Sequence, residues 1–372
     1  MSNGDANPVF LELKSDYPFA INCEIIDEPP FQFQIRDFNL KAKFRANENK
    51  SIDYKIYPVE RGEYSFGDIS AFVSVLAGLI ERRFVSEASY TAKVYPSYIH
   101  LRQHMLIATT KRLERYGAKR VRKIGRSLEF DQISKYTPGE DYRTINWKAS
   151  ARTGELMINR YTEEKSQPIY SLVDMGRSMR MPFENMTLAD YAINTSLVLS
   201  ALSIHKGDKA GLLTFSNEID SVIPASSYKG HMTTILDALY DADTEYMETG
   251  YHVVYSEVSR HIKRRALVML YTNMETMDVL ERNLPYLKSI AKRHLLVTVL
   301  FKNTELEETI SEPIVNYRHA ATKTVAEELE SEKREIAKIL NRNGIQTIYT
   351  TPKNLTTDTI NRYLAIKARN EI

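Results

Sequence analysis

The sequence predicts an α+β multidomain chain, with an N-terminal β-sandwich followed by a C-terminal Rossmann-like α/β domain. Three observations carry this reading. Residues 8–95 hold short apolar–polar alternating runs separated by turn residues, the pattern of an all-β sandwich. Residues 168–372 alternate continuous apolar strands with amphipathic helices, the pattern of a parallel sheet covered on both faces. The 372 residues exceed one ordinary domain, and 43% apolar with 26% charged residues supply separate cores and a solvated surface.

In chain order, residues 9–13 alternate in part, 31–35 alternate strictly with Phe31, Phe33 and Ile35 on one face, and 52–57 alternate loosely. Residues 91–95 form a last run stopped by Pro96. Turns are expected at 47–49, 61–63 and 66–68. Residues 98–124 switch to helical period and carry Lys111, Arg112, Arg115, Lys119, Arg120, Arg122 and Lys123 against the single acid Glu114. The domains are therefore set at 1–97 (sandwich), 98–165 (basic helix and the segment after it) and 166–372 (α/β domain). Within the last, strands are expected at 169–173, 209–215, 266–271, 295–301 and 345–349. Helices are expected at 187–205, 233–240, 277–293, 325–342 and 355–367. Pro285 marks a kink or boundary, and Asn343-Gly344 a helix stop. In such a sheet, ligands gather at the carboxyl ends of the strands.

Composition excludes several classes. Lys plus Arg is 50 and Asp plus Glu is 48, so a net charge of +2 argues against a nucleic-acid partner. The basic segment 111–126 reads as a solvated helix; the sharper alternative is a docking surface for an acidic partner or a membrane surface with anionic headgroups. The one cysteine, Cys23, excludes an intrachain disulfide and a multi-cysteine metal site. No stretch reaches the roughly 18–20 apolar residues that cross a bilayer, and the first residues lack the pattern of a signal peptide.

There is no phosphate-binding P-loop and no dinucleotide glycine fingerprint. The run Gly176-Arg177-Ser178-Met179-Arg180 is one glycine short of a nucleophile elbow. His100 and His104 stand at i and i+4, but Leu101 occupies the place of the glutamate a zincin needs, so zinc is not expected.

The run Ser171-Leu172-Val173-Asp174-Met175-Gly176-Arg177-Ser178 puts an acid at the end of a buried strand, followed by small and hydroxyl residues. It resembles the metal-ion-dependent adhesion site of von Willebrand factor type A domains, Asp-x-Ser-x-Ser. Asp174 and Ser178 match, Gly176 replaces the first serine, and Arg177 adds a cation. Asn273, after the strand 266–271, stands where the family has a carboxylate, and Thr233 and Thr234 are candidates for its threonine. The two substitutions thereby remove a hydroxyl and a negative charge. No cofactor is expected, with weakened magnesium binding at Asp174, Ser178 and Asn273 as the alternative.

Just upstream, residues 128–156 include Tyr136-Thr137-Pro138-Gly139-Glu140-Asp141-Tyr142-Arg143-Thr144-Ile145-Asn146-Trp147-Lys148-Ala149-Ser150-Ala151-Arg152. Pro138-Gly139 makes a turn, and Ile145 and Trp147 are expected to bury beside it. The block closely resembles the signature of the bacterial domain-of-unknown-function 58 family, as do Pro58–Gly67 and Val94-Tyr95-Pro96 upstream. The resemblance implies a β-sandwich joined to a type A-like domain, no established reaction, and a MoxR-type AAA+ ATPase as partner. It also implies two membrane-spanning helices before the β region, so that Met1 stands where they would end: the anchor lies outside this chain, or the protein is a variant without it.

The sequence thus points to a non-enzymatic adaptor on the cytoplasmic side of the bacterial inner membrane. Its partner-binding residues are expected at Asp174, Gly176, Arg177, Ser178 and Asn273, with Asp141, Arg143, Trp147 and Arg152 as a docking surface. The alternatives are a metal-dependent phosphoesterase or other hydrolase and a membrane-surface scaffold.

Overall fold

The computed structural model describes residues 1–33, 39–75, 79–87, 89–97, 128–163, 166–183, 186–244, 246–314, 316–369 and 371, without the side chains of 128–132 and 160–163. The basic segment 98–126, with His100 and His104, lies outside the described residues.

The N-terminal part is built from β1 (Asn7–Lys14), β2 (Ile21–Asp27), β3 (Leu40–Phe44), β4 (Asn49–Ile56), β5 (Gly62–Phe66), β6 (Ile69–Val75), β7 (Ile80–Ser86) and β8 (Tyr90–Val94). One sheet has the order β3-β2-β6-β7, and β1-β4 and β5-β8 form pairs opposite it. Alternation fixes which face is buried: Ile21, Cys23 and Ile25 of β2 meet Ala42, Phe44, Leu11, Tyr54 and Ile56 in one core. The strand expected at 31–35 does not begin as one. Phe31–Phe33 is a 3-10 turn, closed by the Phe33 amide on the Pro30 carbonyl at 3.0 Å. Pro29-Pro30 supply no amide donors, so a ladder cannot start there. Phe33 instead packs its ring 5.0 Å from that of Tyr64.

A two-stranded arm follows. β9 (Leu128–Lys135) pairs antiparallel with β10 (Met157–Glu163), and between them lies helix α1 (Trp147–Thr153). Asn146 caps α1 by accepting the Ala149 amide at 2.9 Å, and Gly154 ends it in the left-handed conformation at φ 71°.

The α/β part runs β11 (Pro168–Asp174), the short pair β12 (Pro182–Phe183) and β13 (Met186–Thr187), α2 (Leu188–His205), β14 (Lys209–Phe215), β15 (Ile219–Ser226), α3 (His231–Asp241), α4 (Tyr251–His261), β16 (Leu267–Tyr271), α5 (Met277–Arg293), β17 (Leu295–Phe301), α6 (Thr304–Ser311), α7 (Tyr317–Arg342), β18 (Gln346–Thr350) and α8 (Leu355–Arg369). The sheet order is β15-β14-β11-β16-β17-β18. All neighbours are parallel except the edge strand β15, which is antiparallel to β14. Alternate residues of β11 feed two cores. Ile169 and Val173 face α2, α3 and α8; Tyr170 and Leu172 face α4, α5 and α7. This is the doubly wound arrangement the sequence predicted, and it has a consequence for function. The chain leaves β11 toward β14 on one side and later returns to β16 on the other, so a crevice opens between the ends of β11 and β16.

The two parts touch through Asp190, in the first turn of α2. Its carboxylate closes a capping box with Thr187, pairs with Arg61 at 3.0 Å and accepts from Asn3 at 3.3 Å.

Candidate functional site

The crevice is centred on Asp174, the last residue of β11, which is fully buried. Three donors converge on its carboxylate. The Gly176 amide reaches Oδ1 at 2.8 Å, the Thr249 hydroxyl reaches Oδ1 at 2.8 Å, and the Thr272 hydroxyl reaches Oδ2 at 2.6 Å. Tyr251, at the start of α4, shares a 2.6 Å hydrogen bond with Thr272. Burial pushes the Asp174 carboxyl up to about 6, and the three donors limit the rise by favouring the anion. Burial, then the Asp174 charge, raises the Tyr251 phenol well above its ordinary value.

Asn273 is committed as well. Its Nδ2 donates to the Ser178 carbonyl at 3.1 Å, and its Oδ1 accepts from the Lys333 ammonium at 2.8 Å. The Arg177 amide donates to the Met247 carbonyl at 2.9 Å. The 174–178 loop is thus tied to the 247–249 loop on one side and to the end of β16 on the other.

Gly176 is required by this closure. A Cβ there would collide with the Thr249 hydroxyl and approach Asp174 Oδ1 to 3.0 Å. The serine of the adhesion motif therefore has no room in this loop.

Of the residues expected to meet a partner, Asp174, Gly176 and Asn273 are buried, Ser178 is half-buried and Arg177 is exposed. Only the last two reach solvent; the others shape the loop from beneath. Above them, Arg282 and Glu248 form an exposed 3.2 Å ion pair. Thr233 and Thr234 lie on α3, where Thr234 approaches the Tyr228 hydroxyl at 3.3 Å. Thr249 takes the place expected for them. Sequence reasoning also missed Thr272, Tyr251 and Lys333. Thr272 stands beside Asn273, so its position was readable, but its aim at Asp174 comes from the packing of β16 against β11.

The second set sits elsewhere, on the β9–β10 arm. Asp141 accepts the Arg143 amide at 3.0 Å and caps a 3-10 turn. The Arg143 guanidinium lies 5.9 Å from the centre of the Tyr142 ring. Trp147, expected to bury, is 70% exposed, and Ile145 is half-buried. The reason is local: Trp147 opens α1 directly after the Asn146 cap, and the asparagine rather than the ring binds the arm, through Asn159 at 2.8 Å. Arg152 is exposed in the last turn of α1.

Magnesium does not fit these residues. Both Asp174 oxygens are occupied by the chain's own donors, and the Asn273 oxygen already holds a cation. Among the described residues no group of three or more His, Cys, Asp or Glu side chains is placed to hold a metal.

Residues 132–310 match the family described as "Protein of unknown function DUF58". The match covers just under half of the chain. It contains the arm from residue 132 onward and the whole Asp174 cluster except Lys333. The uncharacterized protein YeaD of Bacillus subtilis is 25% identical over 285 residues, which cover 74% of this chain and 68% of that protein. The uncharacterized protein Rv1480 of Mycobacterium tuberculosis is 24% identical over 101 residues, or 27% of this chain and 32% of that protein. Among solved structures, the chain is similar to BatB from Bacteroides thetaiotaomicron (TM-score 0.36, 12% identity, 55% of this chain and 99% of that one). It is also similar to the SpRpn10 VWA domain (TM-score 0.33, 11% identity, 53% of this chain and 95% of that one).

Proposed function

We propose that the protein is a non-enzymatic interaction module, an adaptor for a MoxR-type AAA+ ATPase, that meets its partner through the rim above Asp174. The observation that carries this reading is the saturation of Asp174. A carboxylate that a metal or a reaction would need free is spent on joining three loops. Arg177 and Ser178 are then the contact residues, with Glu248 and Arg282 beside them, and Asp174, Gly176 and Asn273 position the loop. The depression over this rim has a volume of about 70 Å³. That is room for roughly two waters, far below the roughly 300 Å³ of a small-molecule site, and suits a protein surface better than a substrate. Asp141, Arg143, Trp147 and Arg152 form a second contact surface on the arm.

No helix among the described residues is long and apolar enough to cross a membrane. The family resemblance implies a membrane anchor, and the single cysteine leans toward a working place on the cytoplasmic face of the bacterial inner membrane. The adaptor reading predicts no turnover of a generic phosphoester with magnesium or manganese, and no saturable magnesium binding in an isothermal titration. Turnover or binding that disappears in Asp174→Ala would replace it with the hydrolase reading.

A further inference from the structure

A separate cavity of about 170 Å³ opens at the carboxyl end of β17. Met181, Phe183, Leu188 and Phe301 give it apolar walls, and Lys333 of α7 closes it. Lys333 is 9% exposed. Its ammonium donates to Asn273 Oδ1 at 2.8 Å and to the Phe301 carbonyl at 3.2 Å, both neutral acceptors. An ammonium has three donors, so these two acceptors leave one unassigned. No carboxylate among the described residues lies within ion-pair distance of it. Burial lowers the pKa of the Lys333 ammonium; Glu275 and Glu330 oppose this only through space, and Glu330 is bound by Arg334 at 3.0 Å and by Tyr349 at 2.7 Å. Buried lysines are normally paired, because an isolated charge loses its hydration without compensation. The other lining lysine, Lys302, is held by Glu307.

We propose that this cavity binds a carboxylate carried on a short apolar chain, with Lys333 as its counter-charge. The volume equals roughly five or six waters, which accommodates a carboxylate and a few carbons. Glu305, exposed at the lining, disfavours a dianion such as phosphate and leaves a single negative charge as the fitting ligand. The ligand is either a free short-chain acid or the C-terminal carboxylate of a peptide ending in an apolar residue. This does not depend on the adaptor reading.

The test is isothermal titration of the full chain with butyrate and, as the uncharged control, butyramide. Butyrate is expected to bind saturably in the millimolar range of so small a ligand, and butyramide about 30-fold more weakly. Lys333→Met removes the charge. Phe183→Trp fills the cavity and keeps the ammonium, so it tests the site even if Lys333→Met fails to fold. Both are expected to lose binding. A peptide ending in leucine, with free and amidated C-termini, separates the sources: free-acid binding tighter than butyrate assigns a protein terminus, and weaker binding assigns a small acid. Two results would overturn the proposal: no butyrate binding by the wild type, and equal binding of acid and amide.

Discussion

At Asp174 two forces oppose each other. Burial favours the neutral acid, and the donors from Gly176, Thr249 and Thr272 favour the anion. Burial prevails, so the folded protein holds a proton that the unfolded chain releases between about pH 4 and about pH 6. The sign follows directly. A carboxyl raised in the folded state stabilises at low pH, and that contribution is lost as pH rises through the folded value. The loss amounts to roughly 3 kcal/mol. Asp174→Asn should remove this slope from denaturant-derived stabilities measured across that window; an unchanged slope would place the titration elsewhere. Gly176→Ser, which writes the adhesion motif back into the chain, should destabilise by about 1–3 kcal/mol through overpacking against Thr249. It should also gain no magnesium-dependent rise in Tm, and a clear rise would show that the loop can open to form the metal site.

At the scale of elements, legibility followed local signals. β11 was readable because its run before Asp174 is apolar apart from the small Ser171, and a strand buried on both faces needs a largely apolar composition. α4 was not readable. Tyr251, His252, Val253 and Val254 are mediocre helix formers after a glycine, and the helix forms because Tyr251, Val254 and Val258 bury against the sheet. Missing α4 meant missing Thr249, which its start positions. α7 hid Lys333 in the opposite way: Glu327, Glu328, Glu330, Glu332, Arg334 and Glu335 around it read as a solvated face, and only tertiary packing buries the lysine. On the arm, Asn146 and Trp147 make a paired prediction. Asn146→Ala loses the α1 cap and should cost about 1 kcal/mol. Trp147→Ala, at an exposed position, should change stability by less than about 0.5 kcal/mol while weakening partner binding. A large stability loss from Trp147→Ala would instead make the ring structural.

For the whole molecule, the joint between sandwich and α/β part rests on Arg61. Its guanidinium pairs with Asp190 and also donates to the Leu239 carbonyl, at side-chain exposures of 10% and 9% for the charged pair. Tyr95 adds a ring contact with Tyr240 at 4.9 Å, and the Ser97 amide donates to Asn194 at 2.8 Å. Removing one member of a buried pair strands the other, so Arg61→Met should destabilise by about 3 kcal/mol. In calorimetry it should split unfolding into two transitions, one for each part; a single transition would show that the remaining contacts suffice. No local pattern announced this joint, because Arg61 reads as a turn residue and Asp190 as a helix cap.

The central claim is that the rim above a closed Asp174 recognises a protein. Its most direct test is the affinity of the purified chain for the MoxR-type ATPase of the same host, compared between wild type and Arg177→Glu. Saturable binding by the wild type, weakened at least about tenfold by the charge reversal, is the predicted result. No binding by the wild type, or equal binding by both proteins, would contradict it.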